Sequence, residues 1–420
     1  MSKIAFFCIP AHGHTNPTLA VVRELVLRGN EVWYYSYDSM KEKIESTGAR
    51  FLSCDKYDMQ MRPAPEDGAR ISMDLAFATE VLVETTLAVG KGIEAEMRAW
   101  KPDCIVADSM AVWGKAIARK LGCPFVSSTT TFAFNRESAR TMKQSPKELF
   151  GMLFSIGKIN RNVKRLRENG YPIRNILDII QNDNETDTIV YTSPEFQPCV
   201  ETFSEKYLFV GPSIQGAEGK RTGTARKEAK AREAGTQDRG EREKTGKQVY
   251  ISLGTVNNDK AGFYRSCIAA LRDMPVAAVI SVGEMPDLEQ LGEIPGNIRV
   301  ERYVNQIEVL QNTDVFLTHC GMNSVSEALY FQVPLVLFPQ TAEQQSVASR
   351  VYELGAGVYL AGTDAGAVRN AVMSVLETEE YRQKAVEIAE SFYRCGGAAA
   401  AAEKIERAAN PRRSLSAIDW

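Results

Sequence analysis

The chain has 420 residues, of which 44% are hydrophobic, and a formal net charge of -3 at pH 7. This length exceeds what one ordinary hydrophobic core supports, so it predicts two domains of about 200 residues each. The small net charge argues against a nucleic-acid-binding surface, and a mean hydropathy of -0.24 is typical of a soluble globular protein whose partners are small molecules.

Cysteine usage and the amino terminus both predict a cytoplasmic protein. The eight cysteines form no Cys-x-x-Cys pair, and Cys8 and Cys104 fall inside apolar runs, where a free thiol behaves as a small hydrophobe. Residues 3–9 enter an apolar run at once, so we expect no signal peptide. The sequence also holds no apolar span long enough to cross a bilayer.

The first half alternates apolar runs with segments of helical spacing. Residues 4–9 predict a buried parallel strand, and a turn containing His12 and His14 then leads into a helix that ends at Gly29. This rhythm predicts a doubly wound α/β sheet, and the absence of Gly-x-Gly-x-x-Gly after the first strand argues against a Rossmann dehydrogenase. The other strands predicted here are 31–37, 50–53, 104–107, 124–128, 187–192 and 207–210.

Three longer stretches of this half depart from the short strand-and-helix alternation. Residues 55–67 read as a loop, residues 71–100 as a helix, and residues 129–185 mix aromatic and Met residues with basic helices. Asp108 directly follows the strand at 104–107 and precedes another helix that ends at Gly122. A polar residue at that point is positioned for chemistry or for helix capping.

Residues 216–248 predict a flexible charged linker. Its only apolar side chains are alanines, among Lys, Arg, Glu, Gly and Thr, so it buries too little surface to offset the entropy of ordering. Lys and Arg outnumber the acids, so a basic interaction tail is the functional alternative. Alanine, glycine and alternating charge suit an interdomain tether better.

The second half restarts the alternation and contains the most informative stretch. A strand at 315–318 is followed by His319-Cys-Gly-Met-Asn-Ser and then by a helix. The first amides of that helix favour an anion, Gly321 allows a phosphate to approach them, and His319 can reach the same group. The other strands predicted here are 249–253, 276–282, 297–300 and 333–339, with helices at 263–272, 346–354 and within 365–408.

The stretch 303–344 resembles the nucleotide-sugar signature of the UDP-glycosyltransferases. That family reads aromatic-x-x-Gln, then His-Cys-Gly-x-Asn-Ser-x-x-Glu, then Pro-x-x-x-acid-Gln. Here the pattern is met by Tyr303 with Gln306, by 319–327, and by Pro339 with Glu343 and Gln344. The resemblance covers most of both halves and is closest to the bacterial macrolide glycosyltransferases. It implies the GT-B fold, two Rossmann-like doubly wound domains that face a central cleft.

The resemblance also implies a domain plan. Residues 1–215 would form the acceptor-binding domain and residues 249–395 the nucleotide-sugar-binding domain, joined by the 216–248 linker. Residues 396–420 would supply a helix that crosses back to the first domain, followed by a tail.

All three histidines of the chain, His12, His14 and His319, fall at strand-to-helix turns. A histidine titrates near neutral pH and can take a proton from a hydroxyl. By resemblance His14 is the catalytic base, with Asp108 as the carboxylate that orients it, while His12 lies where relatives vary. The alternatives are a turn histidine bonded to backbone and an Asp that caps a helix.

Donor-binding residues follow from the same resemblance. Tyr303 would stack on uracil, Gln306 bond to the base or ribose, and Glu327 accept from sugar hydroxyls. Relatives carry Trp and Pro where this chain has Tyr303 and Asn305, so another base such as thymine stays open. The remaining donor contacts would come from Gly254, Thr255, His319, Gly321, Asn323, Ser324, Glu343 and Gln344. Gly254 and Thr255 have a plain turn as their alternative.

The reaction implied is an inverting, metal-independent transfer. No Asp-x-Asp pair occurs in the sequence, so we expect the helix amides and His319 to stabilise the leaving diphosphate and no cofactor to be needed. UDP-glucose is the first-choice donor. The acceptor is expected to be a lipophilic hydroxyl-bearing molecule, such as a macrolide, flavonoid or sterol, in a cleft lined by Met73, Phe77, Phe132 and Phe134, although such residues at helical spacing also suit a core.

Two other functions remain open from the sequence. A UDP-sugar epimerase of the same fold would need acid residues around the sugar in place of a His-Asp pair. A nucleotide-sugar-binding regulator would keep the donor site but lack turnover.

Overall fold

The computed structural model describes residues 1–57, 70, 74–135, 146–175, 184–214, 246–254, 260–285 and 287–411. Met73, Thr255 and almost all of the predicted loop and linker lie outside these residues. The chain divides into two compact units. The first comprises Met1–Ser213, Thr341–Ser346 and Glu390–Trp420, and the second comprises Ile214–Gln340 and Val347–Ala389.

Strands and helices alternate along both units. The strands are β1 Lys3–Phe7, β2 Glu31–Ser36, β3 Arg50–Ser53, β4 Cys104–Asp108, β5 Phe125–Thr129, β6 Thr188–Val190, β7 Tyr207–Phe209, β8 Lys247–Ser252, β9 Val276–Ser281, β10 Ile298–Glu301, β11 Val315–Thr318, β12 Leu335–Leu337 and β13 Gly357–Tyr359. The helices are α1 His12–Leu27, α2 Lys41–Glu45, α3 Leu75–Trp100, α4 Val112–Leu121, α5 Pro146–Glu168, α6 Ala261–Leu271, α7 Gln306–Leu310, α8 Met322–Tyr330, α9 Ala342–Glu353, α10 Ala365–Glu377, α11 Glu379–Arg394 and α12 Gly397–Ala409.

The first unit holds a seven-stranded parallel sheet in the order β3-β2-β1-β4-β5-β6-β7. Chain order reverses between β1 and β4, which pair directly with Phe7 opposite Ala107. Such a reversal opens a crevice at the carboxyl ends of the strands, where ligands bind in open α/β sheets. His14 lies in the first turn of the helix that follows β1, and Asp108 is the last residue of β4.

The second unit repeats this arrangement with six parallel strands in the order β10-β9-β8-β11-β12-β13. Its reversal lies between β8 and β11, which are followed by Gly254 and His319 respectively. The predicted α/β class with two doubly wound sheets is therefore confirmed.

Each sheet is covered by its own hydrophobic core. In the second unit the core includes the inward residues of β8, β9 and β11 together with α6 and α10. In the first unit, α12 packs beside α1 and buries Ala401, Ala402 and Ile405 against the sheet. The last helix of the chain is thus part of the first core.

Several element boundaries differ from the sequence-based prediction. Helix α1 begins at His12, so His12 and His14 lie in its first turn rather than in a loop before it. Strand β8 begins at Lys247, inside the predicted linker. Strand β13 was not predicted, because a three-residue edge strand with a glycine carries too little pattern to detect.

Among the helices in the part of the chain that the structure describes, none is both long and apolar enough to cross a membrane.

The packing of α12 predicts that Ile405→Ala lowers the free energy of unfolding by about 2 to 4 kcal/mol, because it leaves a cavity in the first core. Ile405 is fully buried among residues of β1, β2 and α1. Trp33, Trp100 and Trp113 belong to the first unit, so urea unfolding followed by tryptophan fluorescence reports on this core.

The matched control is Glu403→Ala on the same helix, whose exposed ion pair with Arg407 contributes little. An Ile405→Ala urea midpoint equal to that of the Glu403→Ala variant would show that α12 does not stabilise the first core.

Candidate active site

His14 and Asp108 form a hydrogen-bonded pair in the first unit. The Nδ1 atom of His14 lies 2.8 Å from Oδ2 of Asp108. The Asp108 side chain is fully buried, while 20% of the His14 side chain stays exposed. The pair arises because β1 and β4 lie side by side, so the turn after β1 meets the last residue of β4.

Two further groups fix this pair. The Met110 N–H donates to Oδ1 of Asp108 at 2.9 Å, so both carboxylate oxygens are engaged. The hydroxyl of Thr130 lies 3.2 Å from Nδ1 of His14. Since Nδ1 contacts a carboxylate, it carries the proton, and Nε2 is left as the proton acceptor. Thr130 was not predicted from the sequence; it follows β5, the next strand after β4 in the sheet.

The Asp108 carboxylate decides the protonation of His14. Burial disfavours the imidazolium, but the charge and hydrogen bond of Asp108 outweigh it, so the pKa of His14 is raised above its ordinary value. Glu343, in the 341–346 segment of the same unit, raises this pKa further. The alternative for His14, a turn histidine bonded only to backbone, does not match this geometry.

His12 has a different environment. It is exposed, and its Nδ1 lies 3.2 Å from the ammonium of Lys43, which also contacts Asn16. Partial burial and the Lys43 charge lower the pKa of His12. A histidine that already faces a cation is poorly suited to hold a proton taken from a substrate.

In the second unit, His319 lies between two glycines. A Cβ atom built on Gly254 or on Gly321 would come within 2.6 Å of Nε2 of His319. Gly254 has φ +79°, a conformation that favours glycine, whereas Gly321 has an ordinary φ of -62°. Gly321 therefore makes space for the imidazole, a role that the sequence analysis did not assign to it.

The helix after this turn begins without a side-chain cap. Its N-cap residue is Gly321, which has no side chain, and Asn323 and Ser324 lie in the first turn of α8. The preceding Cys320 has φ +67°, which is uncommon for a residue other than glycine and is often found at binding sites. Sequence analysis predicted an anion site here.

His319 is neutral at pH 7. Burial lowers its pKa to about 4, and contact with the backbone of Ser252 only partly opposes this effect. His319 can therefore serve a phosphate as a neutral hydrogen-bond donor rather than as a cation.

Gln306, Ser324 and Glu327 meet beside α8. Nε2 of Gln306 donates to Oε2 of Glu327 at 2.6 Å and lies 3.4 Å from Oγ of Ser324. Burial raises the pKa of Glu327 to about 6, while the hydrogen bond from Gln306 lowers it. On its other side, Gln306 accepts a hydrogen bond from Tyr250, a residue that the sequence analysis missed.

The remaining predicted donor residues lie outside the clusters around His319 and Glu327. Tyr303 is 57% exposed and lines a surface cavity of about 450 Å³ beside α7. Glu343 and Gln344 lie in the first turn of α9, and Thr341 Oγ1 accepts from the Gln344 N–H. They group with the first unit, although sequence analysis placed them in the nucleotide-sugar domain.

The predicted acceptor residues vary in exposure. Phe132 is 3% exposed and its ring lies 5.5 Å from that of Phe196, so it packs in the interior as the core alternative expects. Phe77 and Phe134 are half-buried, and the guanidinium of Arg70 lies over the Phe77 ring. Their role toward an acceptor stays a prediction.

Among the described residues, no group of three or more His, Cys, Asp and Glu side chains is arranged to hold a metal ion. The first switch point thus holds a histidine with its carboxylate partner, and the second holds a neutral imidazole, helix amides and a buried glutamate.

Known proteins share this architecture. Residues 266–400 match the family described as "Erythromycin biosynthesis protein CIII-like, C-terminal domain". The chain is 33% identical over 409 residues to the NDP-glycosyltransferase YjiC of Bacillus licheniformis, covering 96% of each chain. It is 29% identical to the demethyllactenocin mycarosyltransferase of Streptomyces fradiae, covering 98% of this chain and 87% of that one. The crystal structure of CalG4, the calicheamicin glycosyltransferase, matches all of both chains with 25% identity and a TM-score of 0.76.

The two switch-point sites and these matches define a GT-B glycosyltransferase of the natural-product type. The chain belongs to the UDP-glycosyltransferase family and is similar to its macrolide glycosyltransferases. The family resemblance and the fold inferred from the sequence are thereby confirmed.

The glycine clearance around His319 predicts that Gly321→Ala weakens nucleotide binding about tenfold, because the new Cβ displaces the imidazole and crowds the start of α8. The ordinary φ of Gly321 means that the substitution adds no backbone strain. Calorimetric titration with UDP measures the affinity.

Gly296→Ala is the matched control, since a Cβ there meets nothing within 4 Å. If both variants bound UDP as the parent does, neither Gly321 nor the position of His319 would matter to the nucleotide.

Proposed function

We propose that the protein transfers a sugar, with glucose as first choice, from a UDP-sugar to a hydroxyl of a lipophilic small molecule, with inversion and without a metal. The observation that carries this proposal is the pair of His14 and Asp108 at the switch point of the first sheet. A base held by a buried carboxylate is what activation of a hydroxyl nucleophile requires.

His14 would act as the general base. Asp108 holds the Nδ1–H tautomer, so Nε2 accepts the proton of the acceptor hydroxyl while its oxygen attacks the anomeric carbon. The bond between that carbon and the UDP oxygen breaks as the new glycosidic bond forms. The proton ends on His14, whose imidazolium is stabilised by Asp108, and the negative charge ends on UDP.

The leaving diphosphate would be stabilised by fixed dipoles. The start of α8 presents backbone amides from a glycine N-cap, and His319 lies beside it as a neutral hydrogen-bond donor. These groups need no rearrangement as charge develops, so the proposal assigns no step to a metal. Asn323 and Ser324 in the first turn of α8 add polar groups at the same place.

The base, ribose and sugar of the donor would contact residues of and beside α7, α8 and α9. Glu327 and Gln306 would bind ribose hydroxyls, and Tyr303 would stack on the base from its exposed position. Glu343 and Gln344 would bond to the sugar hydroxyls. Relatives named for UDP-glucose and NDP-sugar transfer, and for mycarosyl transfer to demethyllactenocin, support the substrate classes.

A release assay tests the whole proposal. Incubation with UDP-glucose and a panel of macrolide and phenolic acceptors, with UDP measured with and without EDTA, should give acceptor-dependent release that EDTA does not change. Tight UDP binding without release for any acceptor would favour the regulator. Loss of release in EDTA would contradict the metal-independent mechanism.

The base assignment predicts that His14→Ala lowers transfer by about 10³-fold or more while UDP affinity is retained, because the residue acts on the acceptor hydroxyl. Initial rates and UDP calorimetry measure the two quantities. His12→Ala is the matched control on the same helical turn and should keep most of the activity. A His14→Ala variant as active as the parent would show that another group is the base.

The raised pKa of His14 predicts the pH profile. Only neutral His14 can accept a proton, so kcat/KM should rise with pH through an apparent pKa above the ordinary value for histidine. Asp108→Asn removes the charge that raises this pKa, so the limb should move to lower pH and the rate should fall. If the rise of kcat/KM with pH occurred at the same pH in the Asp108→Asn variant as in the parent, that rise would not report the titration of His14.

A further inference from the structure

We propose that Tyr250 is a positioning residue of the donor pocket, which fixes the side-chain amide of Gln306 so that Glu327 is held ready for the ribose hydroxyls. This inference rests on the proposed function, because it assigns Glu327 to the nucleotide. Tyr250 itself lies on β8 and is not part of the signature stretch at 303–344.

Three side chains form a continuous chain of hydrogen bonds. The hydroxyl of Tyr250 donates to Oε1 of Gln306 at 3.2 Å. Nε2 of Gln306 donates to Oε2 of Glu327 at 2.6 Å. The residues come from β8, α7 and α8, so the contact links the central strand of the second unit to the two helices at the carboxyl edge of its sheet.

This series of hydrogen bonds sets the orientation of the Gln306 side-chain amide. An amide has an oxygen that only accepts and a nitrogen that only donates. A tyrosine hydroxyl that donates at one end requires the oxygen there, which leaves the nitrogen facing Glu327. Removing that donor leaves the amide oxygen without this partner and frees the side chain to rotate away from Glu327.

Tyr250 is rigid and stays a donor. It is 1% exposed, and its ring stacks on Phe316 at 4.5 Å with an interplanar angle of 16°. The two residues lie opposite each other on the adjacent strands β8 and β11, so the sheet itself sets the ring position. Burial raises the pKa of Tyr250 to about 12, which keeps the hydroxyl protonated throughout the neutral range.

Loss of the hydrogen bond from Tyr250 to Gln306 should be visible in the pH dependence of nucleotide binding. Burial raises the pKa of Glu327 to about 6, and the Gln306 hydrogen bond counteracts burial. A Gln306 side chain that is no longer fixed lowers this pKa less, so Glu327 would become protonated at higher pH. A protonated Glu327 accepts fewer hydrogen bonds from ribose.

The test compares Tyr250→Phe with Tyr264→Phe by calorimetric titration with UDP between about pH 5 and 8. Tyr264 is a matched control, because it is fully buried in the same unit and its hydroxyl has no hydrogen-bond partner in the described part of the chain. We expect Tyr250→Phe to weaken UDP binding about fivefold near neutral pH and to shift its acid limb upward. Tyr264→Phe should match the parent, and saturating UDP-sugar should restore kcat in Tyr250→Phe.

A double-mutant cycle tests the route through Glu327. In a Glu327→Gln background, Tyr250→Phe should change UDP affinity by less than about twofold, because the group it positions is already altered. An equal loss in both backgrounds, or a Tyr250→Phe variant with the affinity and pH profile of the parent, would overturn this inference while leaving the proposed function intact. A parent protein that fails to bind UDP at any pH would overturn both.

Discussion

The structure depends first on the hydrogen bond between Asp108 and His14, which exists only because β1 and β4 lie side by side. After the exposed Lys3 the residues of β1 are apolar and buried, and β4 is buried throughout and ends in Asp108. The carboxylate is therefore withdrawn from water but bonded at both oxygens, by His14 and by the Met110 amide. A buried charge with full hydrogen bonding can hold an imidazole in one tautomer without competing solvent.

Burial and the neighbouring side chain together set the pKa values of three groups. Asp108 makes His14 more basic than a free histidine, whereas His319, which is buried and has no carboxylate partner among the residues that the structure describes, becomes less basic. Glu327 is buried with only an amide as its donor, so its pKa rises to about 6. A histidine with a raised pKa, a neutral histidine and a glutamate with a raised pKa thus all arise in buried surroundings, and the neighbouring side chain decides the direction of each shift.

The sequence predicted the two sheets and the two strand-end sites because buried parallel strands carry continuous apolar runs and polar residues follow them directly. His14 with Asp108, and Gln306 with Glu327, were predicted by resemblance as members of two sites, and their direct contacts were found in the structure. Thr130 and Tyr250 were not predicted. Thr130 follows a strand and Tyr250 lies inside a buried strand, and no sequence spacing marks such a hydroxyl as functional. Gly321 was assigned to phosphate approach, but its crowding by His319 depends on a rotamer that no sequence pattern encodes. Residues 341–346 group with the first unit through tertiary contacts, which chain order does not predict.

The most direct test of the account is the anomeric configuration of the product formed from an α-linked UDP-sugar, read from the coupling of the anomeric proton in the NMR spectrum. A single displacement driven by His14 predicts a β-linked glycoside, because the acceptor oxygen attacks the face opposite the departing UDP. An α-linked product would contradict it, since retention requires either two displacements or attack from the side that the leaving group occupies.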